Sequence, residues 1–489
     1  MRREPAEALS SRSAANYNKP NLMPHYLAID LGAESGRVML GTLESGKLAL
    51  EELHRFPNQP VHLPSGRYWD AFRLHHEMVE GLAIAGRRGL RVAGIAVDTW
   101  GVDYGLIGFD GALVDCPRCY RDERTNGIPE KLFGVVPRAE VFARTGIQIM
   151  AINTLYQLYS MRLAESPALQ SAERLLFMPD LFLYWLTGVA RGEATIASTS
   201  QFYDPRSRCF DVELLDRLGI PSRILPELIG PGERLGTLLP RLAESTGLGA
   251  VPVYATASHD TASAVAAVPA EGNDWCYISS GTWSLMGVEL PHPIITEKSA
   301  ELNFTNEAGY GGTTRLLKNI AGLWLLQECR REWAARGESH TYGELMKMAE
   351  DAAPPAGVID PDDFLQPGEM PLRIAEWCRA HSLPEPKSKG ETCRLILESL
   401  AARYCKVLEG LEELIGRRIR AIHIVGGGSR NTLLNRLVAK ASGRKVIAGP
   451  VEATAAGNVL VQAIGAGEVA GLPAAREIVR RSFDIEGFE

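Results

Sequence analysis

The chain has 489 residues, 45% of them hydrophobic and 23% charged, which is too long for one ordinary core and apolar enough for two or more stable domains. A net charge of −7 and a pI near 5.9 argue against a nucleic-acid binder, which would show a basic field, and no apolar run is long enough to span a bilayer. Eight scattered cysteines predict a reduced, cytoplasmic setting; the one CxxC, Cys116 to Cys119, finds no second pair or nearby histidine to complete a zinc site and reads as two loop thiols.

Residues 1–23 lack the apolar core of a secretory signal and read as a disordered tail; Glu4 and Glu7 weaken a transit-peptide reading, and translation from Met23 is an alternative start. Tyr26 to Asp30 is a strand, Leu31 to Arg37 a turn, and two further strands meet at Glu44-Ser45-Gly46-Lys47, where Gly46 is free to take a positive φ. This hairpin is expected to flank the first strand on both sides. His75 to Gly89 has helical spacing. Arg91 to Val114 is a buried strand followed by a hairpin turning at Asp110-Gly111. From Lys131 to Asp216 the period is mostly helical, with core aromatics. Past Pro269 the order partly repeats, because Trp275 to Leu290 is again strand, small-residue turn and returning strand. A helix is expected over Leu316 to Gly337, then a Pro/Asp/Gly-rich loop over Ala352 to Pro371, and a long amphipathic helix that stops at Gly416. Strand, Gly-rich turn, helix, strand and small-residue helix close the chain. The alternation predicts an α/β fold of two similar lobes with a cleft between them.

Four stretches carry chemistry. In Leu31 to Arg37, Gly32 and Gly36 beside Ser35 let backbone N–H groups face an anion, and Asp30 is placed to hold a hydrated Mg²⁺ against phosphates; a tight hairpin entry needs glycine as well, and both readings stand. Ser279 to Gly287 offers Gly281 and the Thr282 hydroxyl at the corresponding point of the second half. Gly426 to Asn431 fails the dinucleotide fingerprint at Asn431, and its three glycines suit a flat base lying on the backbone. Neither a P-loop nor a nucleophile elbow occurs. In Val251 to Val265, His259 and Asp260 fall between a strand and a helix, where Asp260 is either a helix cap or a carboxylate exposed to a cleft. His259 reads as a hydrogen-bonding support.

With these stretches placed, the chain resembles the FGGY carbohydrate kinases of the actin, hexokinase and Hsp70 ATPase superfamily. The blocks that carry the resemblance are IDLGAESGRVML, IAVDTWGVDY, YRDERTNG, NTLYQL, ASHDTASAV, SSGTWSLMGVE, LKNIAGLWLLQ and HIVGGGSRNTLLN, and it runs from about Tyr26 to the C-terminal helices. It implies two ribonuclease-H-like, actin-like ATPase domains, a sugar-binding one over 24–262 and an ATP-binding one over 263–480. Carried over by motif, Ala33, Glu34, Ser35, Gly36, Arg37, Gly101, His259, Asp260, Thr261 and Asn319 would contact the sugar, Thr282, Gln327 and Gly427 would contact ATP, and Asp260 would be the base. Glu34 departs from the small polar residue of the family pattern. The implied reaction is phosphorylation of L-rhamnulose to L-rhamnulose 1-phosphate by ATP with Mg²⁺, in L-rhamnose degradation. The implied partners are a small ketose and ATP, with neither nucleic acid nor membrane. Rivals are a kinase of L-fuculose, xylulose or glycerol, and a non-catalytic actin- or Hsp70-like nucleotide switch.

Overall fold

The computed structural model describes residues 24–489, so the tail expected over 1–23 lies outside the described residues. Strands β1 (His25–Leu31), β2 (Ser35–Glu44) and β3 (Lys47–Pro57) form an antiparallel meander, and β4 (Val92–Thr99) joins β1 in parallel. With β5 (Arg234–Thr237) and β6 (Pro252–Tyr254) the sheet order is β5-β6-β4-β1-β2-β3. The hairpin therefore does not flank β1 as expected. Its two-residue turn, with Ser45 at φ 51° and Gly46 at φ 74°, forces β2 and β3 to be neighbours, and β1 keeps its other edge for a parallel strand. Leu27, Ile29 and Leu31 pack with Leu74, Met78 and Leu82 of helix α1 (Ala71–Arg87) on one face. Tyr26 and Ala28 face the other way, as the two-residue period of a doubly covered sheet requires. Helix α2 (Asp260–Ala266) follows β6. Between β4 and β5 lies an insertion, mostly helical, whose core includes Leu155, Tyr156, Phe177 and Phe202.

The second sheet repeats the plan. Antiparallel β7 (Trp275–Ser280), β8 (Ser284–Leu290) and β10 (Thr314–Ile320), with β9 (Thr305–Ala308) outside them, precede parallel β11 (Ala421–Val425) and β12 (Lys445–Ala448) and the edge strand β13 (Glu486–Phe488). Their order is β9-β10-β8-β7-β11-β12-β13. The helix expected from Leu316 begins only at Trp324, as α3 (Trp324–Ala335). Leu316 and Leu317 enter cores on opposite faces of β10, a strand's alternation. Gly322 then passes so close to β8 that a Cβ on it would lie 2.6 Å from Ser284 N. The long helix α4 (Lys389–Ile415) ends at Gly416 with φ 66°, as expected. Helix α5 (Ala453–Gly465) crosses back to the first lobe, where Ala455, Ala456 and Val459 share a core with Tyr26 and Ala28.

Candidate active site

Asp30 in β1 and Asp98 in β4 are register partners on parallel strands, so both side chains leave the same face at the carboxyl end of the sheet. The chain beyond β6 continues beside them, with a bridge between Thr99 and His259, and Asp260 follows as the first residue of α2. Three carboxylates thus meet at one end of the sheet. Asp30 and Asp260 line a cavity of about 280 Å³ whose walls come from both lobes, while Asp98 is fully buried.

Asp260 is the first helical residue and not the cap that the sequence also allowed. His259 holds the cap position with extended backbone angles, while Asp260 Oδ1 accepts from Thr261 N at 2.5 Å and Thr261 Oγ1 at 3.0 Å. Its side chain is 32% exposed, open to the cavity. Burial raises its pKa, the neighbouring His259 opposes this, and Asp30 adds to it. Asp98 is raised well above the usual carboxylate range, first by burial and then by the charge of Asp30. Its Oδ2 accepts from Asn458 Nδ2 at 2.6 Å, and its buried Oδ1 has no partner among the described residues.

Arg37 stands across from Asp30 in the β1–β2 register. Its guanidinium is shared between Asp30 and Glu452, just before α5, so one cation ties the two lobes. Burial works against its charge, but the two carboxylates outweigh this and raise its pKa.

Asp30, Gly32, Ala33, Arg37, Gly101, His259, Asp260, Thr261, Thr282, Asn319 and Gly427 all line the cavity. Glu34, Ser35, Gly36 and Gln327 do not. Glu34 pairs instead with Arg331 of α3, Ser35 receives a 3.4 Å hydrogen bond from Arg55, and a Cβ on Gly36 would collide with Phe56. Gln327 sits in α3, whose first turn is bonded to Gly281 and Thr282 through Leu323 N and Trp324 N. Its Oε1 is buried without a partner among the described residues. The thiols of Cys116 and Cys119 are free; burial pushes Cys119 up to about 12.

Sequence reasoning missed Gln148, whose Oε1 accepts from Asn319 N at 2.9 Å and Nδ2 at 3.1 Å and so fixes that residue across the cleft. It also missed Asp103. Its buried carboxylate accepts from Trp69 Nε1 at 2.6 Å, Trp100 Nε1 at 3.0 Å and Tyr120 N at 3.1 Å, holding Trp100 and Tyr120 as the aromatic wall of the cavity. Burial pushes Asp103 up to about 6 against those bonds. Glu193 is the third. It accepts from Thr195 N, Thr195 Oγ1, Ile196 N and Ser258 N, and Thr195 Oγ1 in turn accepts from His259 N at 3.1 Å, so it anchors the segment leading to Asp260. No motif spacing marks these residues, because the partners that tie them to the site, Asn319 for Gln148, Trp69 and Tyr120 for Asp103 and Ser258 for Glu193, are remote in sequence.

Comparison with known proteins agrees with the two-lobed architecture. The N-terminal domain model of the FGGY family of carbohydrate kinases matches residues 25–267, and the C-terminal domain model matches 276–466. A rhamnulokinase of Bacteroides thetaiotaomicron is 46% identical over 95% of this chain and 95% of its own. One of Enterococcus faecalis is 40% identical over 95% and 94%. Among solved structures, a gluconate kinase from Lactobacillus acidophilus superimposes with a TM-score of 0.77 at 15% identity, over 95% of this chain and 93% of that one, which shows the fold. From its matched domains, its full-length relatives and its twin-sheet architecture, the chain belongs to the FGGY family of carbohydrate kinases.

Proposed function

We propose that this enzyme transfers the γ-phosphoryl group of ATP to the 1-hydroxyl of L-rhamnulose. The observation that carries the reading is one cavity, walled by both lobes, with the Asp260 carboxylate open to it, in a chain whose full-length relatives are rhamnulokinases. Residues 24–262, joined by Asn319 from across the cleft, hold the sugar, and 263–480 hold the ATP. Asp260 takes the proton of the hydroxyl as its oxygen attacks the γ-phosphorus, the bond to the β-phosphate oxygen breaks, and ADP leaves. Phosphoryl transfer asks mainly for positioning and charge neutralisation, and a carboxyl raised towards neutrality by burial is better matched to general-base work than a free aspartate. Arg37 supplies a fixed positive charge.

Ala33, Gly101, His259, Thr261 and Asn319 form the sugar side, and Thr282, Gln327 and Gly427 the nucleotide side. Ile147, Met150 and Ile152 give the cavity an apolar wall suited to the methyl terminus of a 6-deoxy sugar. Among the described residues no cluster of three or more His, Cys, Asp or Glu could cage a metal. Asp30, which lines the cavity, would instead hold a hydrated Mg²⁺ carried chiefly by phosphates, where the ion would neutralise charge on the transferred group. A reaction drawing on ATP and an intracellular sugar belongs in the cytoplasm.

The test is coupled ADP release across L-rhamnulose, L-fuculose, xylulose and glycerol. L-Rhamnulose should give the highest kcat/KM. A tenfold advantage for another ketose, roughly 1.4 kcal/mol of transition-state binding, would reassign the substrate; ATP turnover indifferent to any sugar would favour a nucleotide switch.

A further inference from the structure

Glu307 in β9 and Arg315 in β10 are register partners, buried to 4% and 0% exposure. Arg315 Nη2 donates to Glu307 Oε2 at 3.1 Å, and its Nε donates to Ala308 O at 3.0 Å. A buried ion pair adds little net stability over an apolar pair of similar volume, and the adjacent Leu316 and Leu317 show what ordinary core positions in this strand carry. The pair is turned towards the first lobe. Glu307 Oε2 lies 3.2 Å from His259 Nδ1, and Arg315 Nη2 lies 3.1 Å from the same nitrogen. The other ring nitrogen, Nε2, is 3.5 Å from Asp260 Oδ1.

We infer that Glu307 and Arg315 are positioning residues for the base, holding the His259 ring with Nε2 turned towards Asp260 Oδ1 so that Oδ2 is left to the sugar hydroxyl. The inference rests on Asp260 being that base. Arginine can only donate. When Nδ1 accepts from Arg315, the neutral ring carries its proton on Nε2; when Nδ1 gains a proton it donates to Glu307, and Nε2 still carries one. In both states Nε2–H faces Asp260. Thr261 N and Oγ1 bond the same oxygen, and no hydrogen bond from the described residues reaches Oδ2. Because the pair belongs to the second lobe and His259 to the first, the carboxylate is oriented only while the lobes are together.

Nitrogen chemical shifts of the His259 ring in the wild-type enzyme should show Nε2 protonated. A neutral ring with its proton on Nδ1 overturns the inference whatever the variants do. Glu307→Gln, and Glu307→Gln with Arg315→Gln so that no buried cation is left unpaired, should lower kcat about ten- to a hundredfold, as misplacement of a reacting group does, with the KM for ATP unchanged. In an Asp260→Asn background the same changes should lower the residual rate no further. An equal drop in both backgrounds means that the effect bypasses the base and sinks the inference. The two readings fail separately. Near-normal kcat in Asp260→Asn alone removes the base itself, whereas an inactive Asp260→Asn beside a fully active double-glutamine enzyme removes only the positioning.

Discussion

Asp260 and Glu193 show how burial sets two carboxylates to different tasks. Asparagine at 260 can still accept from Thr261 through its side-chain oxygen, so Asp260→Asn should leave the melting temperature nearly fixed while kcat falls by at least about 10², the lower range of general-base catalysis. Near-normal turnover would retire Asp260 as the base. Because the native pKa of Asp260 is raised, the rate should fall as pH drops through a value above the ordinary aspartate range, which a pH–rate profile reads directly. Glu193 is fully buried, and burial pushes it up to about 7 despite four donated hydrogen bonds. Between pH 4.5, its ordinary value, and 7, the native state keeps a proton that the unfolded chain has lost, so this group's contribution to stability declines as pH rises. Urea unfolding of the wild type and Glu193→Gln across that window should show the wild type losing stability relative to the variant. A constant difference would mean that Glu193 does not titrate there.

At the level of elements, glycines let backbones meet where the site is built. A Cβ on Gly457 of α5 would lie 1.7 Å from Ser263 O in α2, so Gly457→Ala should push the two helices apart. The expected destabilisation is about 1–3 kcal/mol by overpacking, read by urea unfolding, with lost kcat because α2 begins at Asp260. The three glycines after β11 divide their work. Gly426 takes φ 83°, a Cβ on Gly428 would sit 2.0 Å from Ser280 Oγ, and one on Gly427 would meet nothing within 4 Å. Gly427→Phe should therefore stay folded and raise the KM for ATP by filling cavity space; an unchanged KM would move the base elsewhere. Such local devices were legible in the sequence, because a turn or a cap is written in neighbouring residues. The Ser45-Gly46 turn, the stop at Gly416 and the strand–turn–strand of β7 and β8 were read correctly. What depends on distant partners was not. Leu316 to Ile320 is a strand because β8 pairs with it, and Glu307, Arg315, Gln148 and Glu193 acquire roles only when remote segments meet.

Across the whole molecule, contacts between the lobes differ in burial, which bears on how the cleft works. Deep in it, α5 packs on the first sheet and Gln462 Nε2 donates to Leu27 O at 3.2 Å, a buried tie between the lobes. At the mouth the contacts are made by cationic side chains, half-buried at Arg121 and exposed at Arg331. Arg121 lies 4.0 Å over the ring of Trp324 and donates to Leu365 O at 3.0 Å. Arg331, 5.4 Å over the same ring, pairs with Glu34. The Glu34 and Arg331 side chains are 41% and 53% exposed, and a pair so solvated contributes only about 0–1 kcal/mol. The mouth can therefore open while the buried side acts as the hinge. Sugar and nucleotide on opposite walls, as proposed, would supply the missing attraction, and closing on both would exclude water that otherwise takes the phosphoryl group. Small-angle scattering with L-rhamnulose and a non-hydrolysable ATP analogue together should show a smaller radius of gyration than with either ligand alone. Arg121→Ala should weaken that compaction and raise the KM for both substrates while leaving the melting temperature nearly unchanged. Identical scattering curves in all ligand states would mean that the lobes are already locked, and the weak contacts at the mouth would then have no part in turnover.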